Sequence, residues 1–301
     1  MRICVAATPQ VAVPTLDYLL ESDNQLVSVI TQPDRPAGRG RIERESPVSQ
    51  WANSKGVNCF KPVGNEETIA ALNGADLLIT IGYGVILDRE VFAHPKYGSI
   101  NLHFSLLPRW RGAAPVQRAI EAGDQVSGVT VFSLDEGMDT GPIYTQLRFA
   151  LDEDITSDEL FLELGDLGQE AIAQTLQLIA QGAKPRPQPI DGACGARKIS
   201  KDEAKIDWHL PAHEVSQKIR AFTSVPGAWT IFRESPIKIF SPSHTDLIVD
   251  PGVILVEAGE VCIGTKTTAI QIGALQPAGK AMMPASAWIN GVRLNPGEIF
   301  G

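Results

Sequence analysis

The sequence predicts an α/β protein: a doubly wound, mainly parallel sheet followed by a small antiparallel β-barrel. Three features carry this reading. Short β-rich runs alternate with helical patterns through the first half, and a long amphipathic pattern over residues 157–180 closes that half. A proline-alternating segment then gives way to closely spaced strands. With 301 residues, 44% hydrophobic and 20% charged, the chain is long enough for two domains with cores of their own.

Strands are expected at residues 2–6, 26–31, 75–81, 99–103 and 128–134. The first, in Met1-Arg2-Ile3-Cys4-Val5-Ala6-Ala7, lacks the long apolar region and small-residue cleavage site of a signal peptide. A helix over 11–20 opens behind Thr8-Pro9. Another over 47–55 takes Ser46 as its N-cap and Pro47 as its first residue. Residues 157–180 put Leu160, Leu164, Leu167, Ile172, Leu176 and Ile179 on one helical side. Lys184-Pro185-Arg186-Pro187-Gln188-Pro189 reads as an extended spacer, since each proline bars helix and removes an amide donor. The expected partition is a main domain over 1–184, a linker over 185–203 and a second domain over 204–301. In the latter a helix over 212–222 precedes strands at 229–232, 237–240, 252–257, 260–263 and 269–272, as in a small barrel.

Composition narrows the setting. No apolar run approaches the ~20 residues of a membrane helix, so no membrane partner is expected. The four cysteines, Cys4, Cys59, Cys194 and Cys262, are far apart, which indicates neither a disulfide framework nor a zinc site and points to the cytoplasm. The net charge is −9, with 14 Lys/Arg against 24 Asp/Glu over residues 1–184 and 12 against 11 over 185–301. A nucleic acid would have to be held by local cations, not by a general basic field. Cations cluster at Arg35, Arg39, Arg41 and Arg44, and again at Arg109, Arg111 and Arg118; either cluster also reads as a solvated charged loop.

The most informative stretch runs from Gly98 to Pro115. Asn101 and His103 are two apart in a strand, so they share a face, near the carboxyl edge where open α/β sheets place ligands. An asparagine amide can donate to a developing oxyanion, and a histidine can carry a proton near neutral pH. Such a pair at a strand end also occurs for structural reasons. A second segment, Asp135-Glu-Gly-Met-Asp139-Thr-Gly141, looks like a tight loop after the 128–134 strand. Its Asp139 either supports a cationic His103 or makes a turn.

Together, Asn101-x-His103-x-Ser105-Leu-Leu-Pro108 and Asp135-x-Gly-x-Asp139-Thr-Gly141 closely resemble the folate-dependent formyltransferase family. The resemblance implies a Rossmann-like catalytic domain with Asn101, His103 and Asp139 as its trio, and 10-formyltetrahydrofolate as formyl donor with no metal. It also implies that Ser105, Leu106, Leu107 and Pro108 line the folate site, and that Val85, Ile86 and Leu87, after Gly82-Tyr83-Gly84, give backbone contacts to the pterin. In the chemistry implied, an amine attacks the formyl carbon, and Asn101 and a protonated His103 stabilise the oxyanion. His103, or a water held by Asp139, moves the proton.

Within the family, three features resemble the branch that formylates methionine esterified to initiator tRNA: the exposed loop Arg35-Pro-Ala-Gly-Arg39-Gly-Arg41, the stretch Arg109–Gln117, and a carboxyl-terminal domain with Leu275-Gln-Pro-Ala-Gly-Lys280. The resemblance makes that second domain an OB-like, tRNA-binding barrel, with Arg35, Arg39, Arg41 and Lys280 as tRNA contacts, and the protein is expected to be a monomer. Relatives often carry lysines past the loop glycine; here Arg41-Ile-Glu43-Arg44-Glu45 brings carboxylates, which leaves Arg39 as the better cation. The alternative is a formyltransferase acting on a nucleotide-linked amino sugar, which shares the catalytic domain but gives the Arg35–Arg41 loop no purpose. A nicotinamide-linked dehydrogenase is disfavoured because no Gly-x-Gly-x-x-Gly follows the first strand. A non-catalytic tRNA-binding module would need no trio.

Overall fold

The computed structural model describes residues 1–37, 42–295 and 297–301. In order, the elements of the first half are β1 (Arg2–Ala7), α1 (Val13–Glu21), β2 (Gln25–Ile30), β3 (Arg35–Ala37), β4 (Ile42–Arg44), α2 (Pro47–Lys55), β5 (Cys59–Phe60) and α3 (Asn65–Ala71). They continue with β6 (Leu77–Ile81), α4 (Arg89–Phe92), β7 (Ser99–His103), β8 (Arg111–Gly112), α5 (Pro115–Glu121), β9 (Val126–Ser133), β10 (Ile143–Ala150) and α6 (Ser157–Ala180). The second half holds β11 (Gly195–Ala196), α7 (Ala212–Ala221), β12 (Trp229–Phe232), β13 (Ser235–His244), β14 (Ile254–Glu257), β15 (Glu260–Ile263), β16 (Ile270–Pro277), β17 (Met283–Pro284) and α8 (Ala285–Val292).

Local chemistry explains several of these. The Ser46 hydroxyl accepts the Ser49 amide at 3.0 Å, Pro47 fills the first helical position, and Gly56 ends α2 in the left-handed region at φ 68°. The β6 sequence Leu-Leu-Ile-Thr-Ile is buried at every position, as a strand covered on both faces requires. Along α6, Leu160, Leu164, Ile172, Leu176 and Ile179 are buried at helical spacing.

The chain divides into two compact units, and the division is not the linear one expected. The first comprises Met1–Pro115, Val126–Ala150 and Phe161–Ala196; the second comprises Val116–Gln125, Leu151–Leu160 and Arg197–Gly301. Much of the expected 185–203 linker thus belongs to the first unit. Arg186 exchanges both backbone hydrogen bonds with Ile143, and β11 pairs with β8.

The first unit is built on a seven-stranded sheet in the order β10-β9-β7-β6-β1-β2-β5. Five strands are parallel, while β9 runs antiparallel to β7 and β10 antiparallel to β9. This is the mainly parallel α/β sheet expected, with an edge strand, β10, that the sequence pattern did not announce. The direction of β9 matters for the site. The following loop starts at the amino end of β7, where the Leu134 amide donates to the Ser99 carbonyl at 2.9 Å.

The second unit carries an antiparallel sheet in the order β12-β13-β16-β15-β14, with β17 on β16. The expected barrel is represented here by this antiparallel sheet. Trp208, Phe232, Trp288 and Phe300 cluster in the same unit with ring centroids 5.0 to 6.1 Å apart.

Under the site in the first unit, Phe132 is fully buried against Leu107 and Ile143. Phe132→Ala is expected to cost about 3–5 kcal/mol of folding stability. Urea denaturation monitored by circular dichroism measures this. A loss below about 1 kcal/mol would mean that the cluster repacks around the gap.

Candidate active site

The site grows out of the carboxyl end of β7. Strand alternation puts Asn101 and His103 on one face, and the register sets Thr80 of β6 beside Asn101. The Thr80 hydroxyl donates to Asn101 Oδ1 at 2.8 Å. A hydroxyl on the amide oxygen fixes which way the amide points, and Nδ2 is left as a donor with no partner among the described residues. Asn101 is half-buried, so this donor remains accessible from the site.

His103 is 5% exposed and stands edge-on to Phe132, ring centroids 6.5 Å apart. Its Nε2 lies 2.8 Å from the Trp110 carbonyl. A carbonyl only accepts, so Nε2 carries the hydrogen. Nδ1 faces Asp139 Oδ2 at 3.7 Å. Burial pushes the imidazole pKa below its usual value; the Asp139 charge and the Trp110 carbonyl pull the other way and do not prevail. The resting ring is therefore neutral, with the Nδ1 lone pair turned toward the carboxylate. Desolvation thus works against the protonated His103 that the sequence reading expects as oxyanion partner, and the single negative neighbour works for it.

Asp139 reaches His103 from the loop that begins beside Ser99. Its backbone is left-handed at φ 53°, and its Oδ2 accepts the Gly112 amide at 2.7 Å. Trp110, which supplies the carbonyl to His103, is also left-handed at φ 65°. Gly112 must be glycine: at φ 123°, an added Cβ would come 2.7 Å from the Ala196 carbonyl oxygen.

Three residues outside the expected trio hold these loops. Gln188, from the proline-rich segment, accepts from Arg111 Nε and Nη2 at 3.2 and 2.6 Å through its side-chain oxygen. Its side-chain nitrogen donates to the carbonyls of Asp139 and Gly141 at 2.9 and 2.8 Å. Cys194 Sγ accepts the Trp110 amide at 3.3 Å. Gln146 donates to the Leu107 carbonyl at 2.8 Å and to Thr130 Oγ1 at 3.0 Å. Gln188 was legible only as part of a spacer. The one signal was that alternating prolines impose an extended path and so aim the residues between them.

The expected folate residues divide into two kinds. Ser105, Leu107 and Pro108 are buried, while Leu106 is half-buried. Within that stretch the Ser105 hydroxyl donates to the Arg109 carbonyl at 2.6 Å, and Thr130 Oγ1 donates to the Ser105 carbonyl at 2.6 Å. Ser105, Leu107 and Pro108 are thus framework. In contrast, Val85 and Ile86 are exposed and Leu87 packs partly on the core. Among the described residues, the backbone groups of Val85, Ile86 and Leu87 have no partner and can meet a planar heterocycle.

Of the expected tRNA contacts, Arg39 and Arg41 lie outside the described residues. Arg35 pairs by backbone with Arg44 across β3 and β4. Lys280 is exposed in a turn after β16, its amide donating to the Pro277 carbonyl at 3.0 Å. Among the described residues, no helix is long and apolar enough to cross a membrane.

The His103 environment makes a stability prediction with a definite sign. The folded pKa lies below the usual 6.5, so the unfolded chain takes up this proton first. Stability is then lost as pH falls through about 6.5 and keeps falling until the folded imidazole itself titrates. In His103→Gln, Tm should fall less steeply between about pH 7 and about pH 5. Scanning calorimetry across that range reads it, and parallel slopes would assign the acid sensitivity to another group.

The chain is similar to known proteins along its length. Residues 1–176 match the family described as formyl transferase, and residues 198–293 match the formyl transferase carboxyl-terminal domain. The chain is 42% identical to methionyl-tRNA formyltransferase of Acidothermus cellulolyticus and 40% identical to that of Salinispora arenicola; each alignment covers 100% of both chains. Its fold is similar to that of HypX from Aquifex aeolicus, solved with tetrahydrofolic acid. That comparison has a TM-score of 0.68 and 19% identity, over 99% of this chain and 48% of that one. The chain belongs to the formyl transferase family.

Proposed function

We propose that this chain transfers the formyl group of 10-formyltetrahydrofolate to the α-amino group of methionine esterified to initiator tRNA, in preparation for translation initiation. The observation that carries the reading is the arrangement of a free Asn101 amide, a neutral buried His103 and Asp139 on one sheet edge. The likeness to methionyl-tRNA formyltransferases supports it over an amino-sugar acceptor, because identity is 42% and 40% over the whole chain for two of them and 21% for a sugar 3N-formyl transferase.

The folate supplies a formyl carbon bonded to a nitrogen that can leave. Asn101 Nδ2–H donates to the formyl oxygen as it becomes negative. The proton shed by the attacking amine passes through a water held by Asp139 to His103 Nδ1, and Asp139 Oδ2, 3.7 Å away, stabilises the imidazolium so formed. The bond between the formyl carbon and the leaving nitrogen then breaks, and His103 returns the proton to that nitrogen. One C–N bond forms, one breaks, and the imidazole ends neutral. Val85, Ile86 and Leu87 are assigned to the heterocycle, and Ser105–Pro108 to the rigid floor beside it. The carboxyl-terminal unit, as an OB-like domain, and the Arg35–Arg41 loop are assigned to the tRNA, and the protein is proposed to act as a cytoplasmic monomer.

A radiolabel transfer assay that offers charged initiator tRNA beside a nucleotide-linked amino sugar tests the assignment; label appearing on the sugar alone would overturn it. In the same assay, Asn101→Ala should lower kcat by ~10²- to 10³-fold. Asp139→Asn removes the charge that raises the His103 pKa, so the acid limb of kcat/KM should move to lower pH while the rate falls. An unmoved limb would detach Asp139 from the imidazole.

For tRNA, Arg39→Ala should weaken binding without changing folate affinity. It should also flatten the plot of log K against log salt by about one unit. Lys280→Ala should have a milder effect. Titrating labelled tRNA at several salt concentrations reads both, and a slope equal to that of wild type would remove Arg39 from the phosphate contacts.

A further inference from the structure

We propose that Gln188 is a positioning residue for the reaction, acting as a clamp that fixes the Asp139 loop against Arg111 and thereby sets the carboxylate beside His103. The inference rests on the formyl-transfer reading for its kinetic consequences, and on geometry alone for its structural ones.

Four hydrogen bonds converge on one side chain. Arg111 Nε and Nη2 donate to its oxygen, at 3.2 and 2.6 Å, and its nitrogen donates to the Asp139 and Gly141 carbonyls, at 2.9 and 2.8 Å. A guanidinium only donates and a carbonyl only accepts, so every partner enforces the same amide orientation. Neither a glutamate nor an aliphatic residue can serve both sides. Gln188 is half-buried, while Arg186, Pro187, Pro189 and Ile190 around it are exposed. Within this stretch it is the polar side chain turned inward.

The loop it holds has particular need of an anchor. Residues 134–142 start at the amino end of β7 and must reach back to bring Asp139 Oδ2 within 3.7 Å of His103 Nδ1. The same Oδ2 accepts the amide of Gly112, the residue next to Arg111. Gln188 therefore closes a small ring: Arg111 to Gln188, Gln188 to the Asp139 carbonyl, the Asp139 carboxylate to Gly112. Arg111 is itself pinned, its amide donating to the Cys194 carbonyl at 2.9 Å. Loosening Gln188 would let the carboxylate drift from the imidazole while leaving both residues in place.

Three variants of the full-length chain test this: Gln188→Ala, Gln188→Glu, which keeps the acceptor for Arg111 but loses both donors, and Gln188→Met, which fills similar space with neither. Each should lower kcat for charged initiator tRNA by roughly 10- to 100-fold, as supporting-shell losses do, with KM within about twofold of wild type. Combined with Asp139→Asn, Gln188→Ala should cost no more than about twofold further, because the charge it places is already gone. A direct readout is the titration of the His103 ring by NMR, whose midpoint should drop in Gln188→Ala as the carboxylate recedes. Equal rate losses from Gln188→Ala in the wild-type and Asp139→Asn backgrounds would overturn the proposal, and so would an unchanged His103 midpoint in a folded variant. If Gln188→Ala unfolds, the Met and Glu variants carry the same comparison, and collapse of all three makes Gln188 a folding residue and overturns the positioning role. Wild type that transfers no formyl group to charged tRNA would instead defeat the functional reading, and the NMR arm would still judge the clamp.

Discussion

A buried imidazole with its Nε2–H committed to a backbone carbonyl organises the first unit around itself. Because the Trp110 carbonyl takes that hydrogen, the opposite nitrogen is turned toward Asp139 and is left as the basic atom. Holding a carbonyl at 2.8 Å from a ring at the end of β7 requires the chain to double back within seven residues, and it does so through the left-handed Trp110. Holding a carboxylate on the other side requires a second excursion, which passes through the left-handed Asp139. Each such residue costs roughly 1–2 kcal/mol relative to an ordinary conformation. These costs are tolerated because hydrogen bonds at both loops leave little alternative: Cys194 to the Trp110 amide, and Gln188 to the carbonyls on either side of Thr140.

The order of segments explains why the proline-rich stretch cannot be a spacer. Since β9 runs against β7, the loop after it emerges at the wrong end for catalysis and needs an external support near its return. Residues 186–196 give that support, through Arg186 to Ile143, Gln188 to Asp139 and Gly141, and β11 to β8. Prolines suit such a segment. They fix the backbone in an extended path, need no ladder partners of their own, and leave only the intervening residues to bond inward.

The expected strand over 99–103 and the helices over 47–55 and 157–180 stand as read, because each carries a strong local signal: a capping serine with a following proline, or six apolar residues at helical spacing. Period alone does not give strand direction, so the antiparallel course of β9 was not legible, nor was β10, whose outward face is mixed. In the candidate site, alternation already placed Asn101 and His103 together. What joined Asp139 to them was a hydrogen-bond ring drawn from residues 110–112, 139–141 and 188, and no local pattern encodes contacts so distant in sequence. Charge state depends on burial as well. A histidine beside an aspartate looks cationic in sequence, and the burial that pushes its pKa the other way is visible only in the fold.

That neutral resting state changes what Asp139 contributes. Were His103 protonated throughout, its attraction to the carboxylate would be present equally before and during reaction, and would give no acceleration. With a neutral ring at rest, the interaction is expressed only after Nδ1 has accepted a proton. At 3.7 Å and an effective dielectric of about 20, two unit charges attract by about 4 kcal/mol, part of which is cancelled by the cost of charging a ring removed from water. An unprotonated Nδ1 and a carboxylate are both acceptors and share no hydrogen, and the 3.7 Å gap between them is consistent with this division of labour: the carboxylate is held nearby by Gly112 and Gln188 and waits for the charge. The frame thus keeps the ion pair out of the ground state and supplies it when the amine gives up its proton.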